Sequence, residues 1–318
     1  MMEVGGYFHL ELNKICNFSH YDGILLNSGR CSFEYILVQL SVKKVFLPFY
    51  TCEVVLEPIL RRGIKYEFYN IDSNLEIRDC LELGDGDYVL YTNYFGIKDR
   101  YVKQLANVYK SCLIIDNSQA LFAERWMDIP TFYSPRKFVG LPDGGVAYCK
   151  KEEEIELDFD KSYDRCEHLL SRYDRLASDG YSVFRMNSAK LKNQKMAYMS
   201  NLTRALIGNI DFDTVKNIRN SNFLYLHDRL SASNKFDIGD INSFSCPMVY
   251  PYWSDDRTLR DRLIKNKIYV STYWPNVMQW CTEDQLEYYL AKDIIPLPID
   301  QRYNNKDLEN IISIIRLR

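Results

Sequence analysis

LIIDNSQALF, residues 113–122, is the stretch on which the fold turns. Three apolar residues run into Asp116, so a buried strand over 111–116 is predicted to end on a carboxylate. A carboxylate there is partly desolvated and needs a cation, a metal or a hydrogen-bond donor to remain ionised. It could equally be a helix cap or a turn residue, a common use of aspartate.

The flanking sequence alternates between two periods. KKVFLP (43–48), KYEFYNI (65–71), DYVLYTNYFG (87–96) and GGVAYC (144–149) read as strands, the third running into a loop. EYILVQL (34–40), CEVVLEPILRRG (52–63) and DRYVKQLANVY (99–109) read as helices, the second closed by Gly63. Strands and helices alternating at this pitch predict an α/β sheet with parallel pairs. Such sheets bind ligands beyond the carboxyl ends of their strands. The residues after FLP, VLYT and LII are therefore where chemistry should collect.

Two further segments bear on that region. In FYSPRKFVGLPDGG (132–145), Lys137 sits in a turn-rich stretch just before a strand. Most lysines are surface charges; a few form a Schiff base. PDGG reads as a tight turn. In NSGR (27–30), Ser28 and Gly29 precede a helix and offer a hydroxyl and backbone amides to an anion. Ser-Gly is also an ordinary cap, and the segment matches neither phosphate-loop nor dinucleotide fingerprints. Taken together, a phosphate cup, a carboxylate for a ring nitrogen and a downstream lysine are what pyridoxal phosphate requires.

These motifs, in this order, resemble the DegT/StrS sugar aminotransferases, which belong to the fold-type I pyridoxal phosphate enzymes. The resemblance runs through NSGR, LPFYTCEVVLEPILRRGIKYEFYNID (47–72), NYFG (93–96), IIDNSQA (114–120), SPRKF (134–138) and DGG (143–145). It continues more weakly through MSNLTRALI (199–207), the helix near Arg219 and LPID (297–300). It implies that Lys137 holds the cofactor aldehyde and shuttles the proton, that Asp116 pairs with the pyridine nitrogen, and that Gln119 contacts the ring hydroxyl region. Ser28, Gly29 and Ser134 would hold the phosphate, and Asn93 would lie on the substrate side. Cys52 takes the place of an aromatic that often stacks on the ring, with Tyr50 nearby. Asn93 stands where histidine is common, Ser134 stands three rather than five residues before the lysine, and MAYMS (196–200) replaces an Asn-aromatic-Arg-Met segment.

Composition bounds the rest. The chain has 318 residues, is 47% hydrophobic and carries a net charge of -3, which excludes disorder and argues against wholesale nucleic-acid binding. Nine scattered cysteines without a CxxC pair, and four histidines without a cluster, suit neither a zinc cage nor a disulfide framework, so no metal is expected. The start lacks a secretory pattern, and no apolar run suits a membrane span. The expectation is a reduced, soluble, cytoplasmic protein. Residues 150–161 read as a solvated connection and 163–230 as mainly helical. Beyond lie strands at 248–253 and 267–274, a helix at 255–266, and a last helix burying Leu308, Ile311, Ile312 and Ile315, with Arg316 and Arg318 in its final turn. The Asp-x-Asp pairs at 158–160 and 211–213 read as solvated carboxylates, and KLKNQK (190–195) as a solvated or dimer-facing helix.

The expected architecture is an α/β large domain over 1–209 with a mostly parallel sheet and a dimer-facing helical segment at 163–209, plus a small α+β domain over 210–318. The resemblance implies amino transfer from glutamate to a nucleotide-linked keto sugar by a homodimer. A binding protein that keeps the fold without the activity stays open, as does a pyridoxal phosphate enzyme acting on an amino acid or a non-nucleotide sugar.

Overall fold

A seven-stranded sheet brings the candidate residues to one edge. The structure, a computed structural model, describes residues 10–13, 17–126 and 128–317. The strands are β1 (Ile24–Leu26), β2 (Lys44–Pro48), β3 (Lys65–Tyr69), β4 (Asp87–Thr92), β5 (Leu113–Asn117), β6 (Thr131–Tyr133) and β7 (Gly145–Tyr148), in the order β1-β7-β6-β5-β4-β2-β3. Strands β2 to β6 pair in parallel, while β7 runs antiparallel between β1 and β6. All five residues of β5 are buried, as a parallel strand covered on both faces requires.

Alternation sends successive side chains to opposite faces. Leu47, Leu90, Ile114, Phe132 and Ala147 face α1 (Gly29–Gln39) and α2 (Leu56–Arg61). Phe46, Val89, Tyr91, Leu113, Ile115, Tyr133 and Val146 face the larger core. That core takes in α3 (Asp99–Tyr109) through Val102 and Leu105. Glu34 of α1, almost fully buried, pairs with Arg61 and Arg62 and so ties α1 to α2.

The helical middle consists of α4 (Glu167–Asp174), α5 (Tyr181–Ala189), α6 (Asn201–Gly208) and α7 (Phe212–Leu230). Beyond it lie β8 (Tyr250–Trp253), α8 (Leu259–Lys265), α9 (Val277–Trp280), α10 (Leu286–Asp293), β9 (Ile294–Leu297) and α11 (Asn305–Arg316). Strands β8 and β9 form a second, antiparallel sheet. Its Tyr250 and Leu297 share the larger core with Phe223 and Leu226 of α7. Residues 150–161 are irregular and mostly exposed. Among the described residues, no helix is long and apolar enough to cross a membrane.

Four readings need correction. Residues 190–195 form no helix: α5 ends at Ala189, and a turn with an irregular stretch follows. Residues 267–274 form no strand: Lys267 has a left-handed φ of 62°, and Arg260 Nη1 takes the Ser271 carbonyl at 2.6 Å. The strand that pairs with β8 is β9. The last helix buries Ile314 along with Leu308, Ile311 and Ile312, and Ile315 is only partly covered. Strands β1 and β6, three residues each, were not anticipated. Arg318 lies outside the described residues.

One close approach sets the sheet edge. A Cβ at Gly145 would lie 2.3 Å from the Ser28 carbonyl oxygen and 2.5 Å from Ser32 Oγ. Gly145→Ala is therefore expected to lower stability by about 2 kcal/mol, read as a fall in urea midpoint at unchanged slope.

Candidate active site

Strand direction gathers the candidate residues. The carboxyl ends of β1, β2, β4, β5 and β6 and the start of β7 lie at one edge of the sheet, because β7 alone runs the other way. Ser28, Cys52, Asn93, Asp116 and Lys137 all follow or end these strands.

The cup is built by a helix start against a turn. Ser28 caps α1, its Oγ accepting from the Cys31 amide at 3.2 Å. Gly29 comes next and faces Ser134: a Cβ there would stand 3.3 Å from Ser134 Cβ and 3.4 Å from its Oγ. The positive end of α1 thus opens beside two buried hydroxyls, an arrangement that suits an anion. Arg30, in the first turn, is held bidentately by Glu57 at 2.7 and 2.8 Å.

Asp116 shares the α1-facing side of β5 with Ile114 and is buried. Its Oδ1 accepts from the Ser118 amide at 2.7 Å, and Oδ2 from Thr92 Oγ1 at 3.4 Å. Lys137 ends a short 3-10 turn, Pro135–Lys137, and its side chain is exposed. Its Nζ donates to Ser118 Oγ at 2.9 Å. Carboxylate and amine therefore meet on one serine. Cys52 is partly covered; burial pushes its thiol up, and the nearby Lys137 charge opposes this.

The next residues brace the crevice. Gln119 Oε1 accepts from the Phe95 amide at 2.7 Å, while its buried Nε2 has no partner among the described residues. Asn93 is fully buried; its Nδ2 donates to Asp99 Oδ1 at 2.7 Å and Asn117 Oδ1 at 3.1 Å, and its Oδ1 accepts from the Lys98 amide at 3.0 Å. Asn93 also borders a cavity of about 610 Å³, with Asp99, Arg100, Lys103, Phe122 and Trp126 on its walls.

Residues far along the chain fix the lysine's turn. Arg219 of α7 is buried, and its Nη2 donates to the Phe138 carbonyl at 2.9 Å and its Nη1 to the Met248 carbonyl at 2.9 Å. Gln301 Nε2 reaches the same Phe138 carbonyl at 3.0 Å. Burial lowers the Arg219 guanidinium below its ordinary range. Arg136, beside the lysine, donates to Ser188 Oγ on α5 at 3.2 Å, and burial, then the neighbouring Arg30 charge, push it down to about 10. Asp143 is fully buried, taking Arg165 Nη2 at 2.5 Å and Thr203 Oγ1 at 2.5 Å.

Sequence reasoning did not single out Ser118, Arg165 or Gln301 for a role at the site. Ser118 alone carried a signal, standing two residues after the strand-ending aspartate; the others act across long separations.

No family model and no curated protein matches the chain. Solved structures do. The sugar aminotransferase CalS13 from Micromonospora echinospora superposes with a TM-score of 0.63 at 12% identity, over 94% of this chain and 88% of that one. A DegT DnrJ EryC1 StrS aminotransferase from Brucella abortus gives 0.63 at 15% identity, over 92% and 84%. NtdA from Bacillus subtilis, solved with bound cofactor PMP, gives 0.62 at 14%, over 92% and 73%. The chain has the fold these proteins share, and the Brucella neighbour is an aminotransferase of the type its sequence resembles.

The support beneath the lysine's segment can be tested without any ligand. Asp143→Ala strips Thr203 and Arg165 of their buried acceptor, leaving Arg165 with Asp160 at 2.6 Å. A loss of about 2–3 kcal/mol in chemical denaturation is expected.

Proposed function

We propose that this chain is a pyridoxal phosphate-dependent aminotransferase of the DegT/StrS type. Its substrate would be a nucleotide-linked keto sugar, its amino donor glutamate, and its setting cytoplasmic polysaccharide or deoxysugar synthesis. One observation carries the reading: a buried strand-end carboxylate, an exposed lysine amine and a serine–glycine helix start share one crevice.

The residues present fit the cofactor. Gln119 Nε2 is a buried donor lacking an acceptor, a cost that a ligand oxygen would remove. Gly29 leaves room beside Ser134 that a side chain would fill. Ser28, Gly29 and Ser134 would hold the phosphate, Asp116 would keep the ring nitrogen protonated, and Gln119 would donate to the ring hydroxyl. Cys52 would form part of the wall beside the ring. When bound, pyridoxal phosphate supplies an aldehyde and an electron-withdrawing ring. Lys137 would anchor that aldehyde and, once released, would take and return the proton at the substrate carbon through Nζ. Thr92 and the Ser118 amide keep Asp116 oriented.

The cavity beside Asn93 supports a nucleotide-linked substrate. Arg100 and Lys103 offer charge for a diphosphate, and Trp126 offers a ring face. A small domain from about residue 210, carrying the β8–β9 sheet, would complete the cleft.

A homodimer is supported by the α4–α5 hairpin. No residue of α4 is buried, and Leu170, Tyr173, Leu176, Tyr181, Phe184 and Met186 are all exposed. Monomeric proteins rarely leave so many large apolar groups together. The hairpin also touches the lysine's segment through Arg136 and Ser188.

Spectroscopy tests the activity. Pyridoxal phosphate added to the protein is expected to give a yellow complex that borohydride fixes on Lys137, and Lys137→Ala is expected to stay colourless. A wild type that stays colourless and unlabelled would sink the catalytic reading. Half-reactions with glutamate, then with a panel of nucleotide-keto sugars, separate this substrate class from amino acids and free sugars. Replacing Tyr173 and Phe184 together by Glu is expected to halve the sedimenting mass; an unchanged mass places the dimer contact elsewhere.

A further inference from the structure

Ser118 touches both ends of the proposed chemistry. Its amide donates to Asp116 Oδ1 at 2.7 Å, and its Oγ accepts from Lys137 Nζ at 2.9 Å. The serine is 7% exposed, whereas the lysine is exposed. Its backbone is fixed on either side: β5 precedes it, and the Ala120 amide closes a turn onto the Asn117 carbonyl at 3.0 Å. A buried hydroxyl on a fixed backbone therefore holds the tip of a long, exposed side chain.

We propose that Ser118 is a positioning residue that parks the Lys137 amine at the end of β5, where the cofactor's carbonyl is met. The proposal rests on the reading of Lys137 as the covalent anchor. A free lysine tip samples many rotamers, and a hydrogen bond from a charged donor is strong enough to select among them. The chemistry of the partner matters as much as its place. Lys137 forms no ion pair among the described residues; a hydroxyl receives it instead. A carboxylate can only accept, so it holds an ammonium and releases it at a cost. A serine hydroxyl accepts from the ammonium and, after rotating, donates to the neutral amine. It keeps the nitrogen in place in both proton states. Because the same residue's amide orients Asp116, the amine and the carboxylate for the ring nitrogen are set at a fixed separation.

Two measurements on the whole protein test this, one of them cofactor-free. Lys137 is labelled competitively with acetic anhydride in wild type, Ser118→Ala and Ser118→Thr, and read by peptide mass spectrometry against exposed lysines. Wild type and Ser118→Thr are expected to protect Lys137 severalfold relative to Ser118→Ala. The rate of pyridoxal phosphate capture at Lys137, trapped by borohydride, is then expected to fall about ten-fold in Ser118→Ala and Ser118→Val and to recover in Ser118→Thr. Equal labelling in all three proteins overturns the proposal, as does unchanged capture in Ser118→Ala. If the wild type captures no pyridoxal phosphate, the cofactor reading fails, and the labelling still decides whether Ser118 holds the amine. Matching urea midpoints among the variants exclude unfolding as the cause.

Discussion

Two backbones at the edge of the sheet lie closer than side chains would allow, and the rest of the crevice depends on that approach. Gly145 brings β7 against the Ser28 carbonyl, and Gly29 brings α1 against Ser134. Because β7 runs antiparallel between β1 and β6, its first residue and the last residues of its neighbours meet at the same edge. The helix start is thereby pinned beside the turn that carries Lys137. A side chain at Gly145 would force the Ser28 backbone to move, and one at Gly29 would press on the Ser134 side chain.

The polar contacts around this approach divide into two kinds. Some face the crevice: Ser28 on the Cys31 amide, Asp116 on the Ser118 amide, Lys137 on Ser118. Others are buried and distant in sequence: Arg219 and Gln301 on Phe138, Asp143 with Arg165 and Thr203. The second kind fixes the lysine's turn, and the first holds its amine through a single hydroxyl. A firmly supported turn with an amine held by one hydroxyl suits a residue that must both hold a ligand and release it.

Much of this was legible in the sequence, for physical reasons that differ by element. Strands β2, β4 and β5 announce themselves because strands covered on both faces are nearly continuous apolar runs. The three residues of β1 and of β6 are too few to show a period. KIYVSTYW reads as a strand because aromatic and β-branched residues favour strands, but here Ile268 and Trp274 enter the core and Val270 and Tyr273 pack against it without a ladder, while Tyr269 is exposed. Asp116 and Lys137 could be read because each stands at a strand boundary. Arg165 and Gln301 could not: each reaches its partner across 22 and 163 positions respectively. Ser118 was hidden in plain view, since a serine after an aspartate reads as an ordinary turn.

The Phe138 carbonyl has a consequence for how such chains can be recombined. It is a backbone atom, so nothing about residue 138 records its importance; the record is kept by Arg219 and Gln301. Those two residues lie on either side of the β8–β9 sheet in sequence. The C-terminal third and the lysine's turn are therefore one mechanical part, although they look like separable modules. A chimera spliced near residue 210 could exchange its outer loops freely, yet it would have to bring a matching arginine and glutamine to meet a carbonyl its designer had no reason to notice.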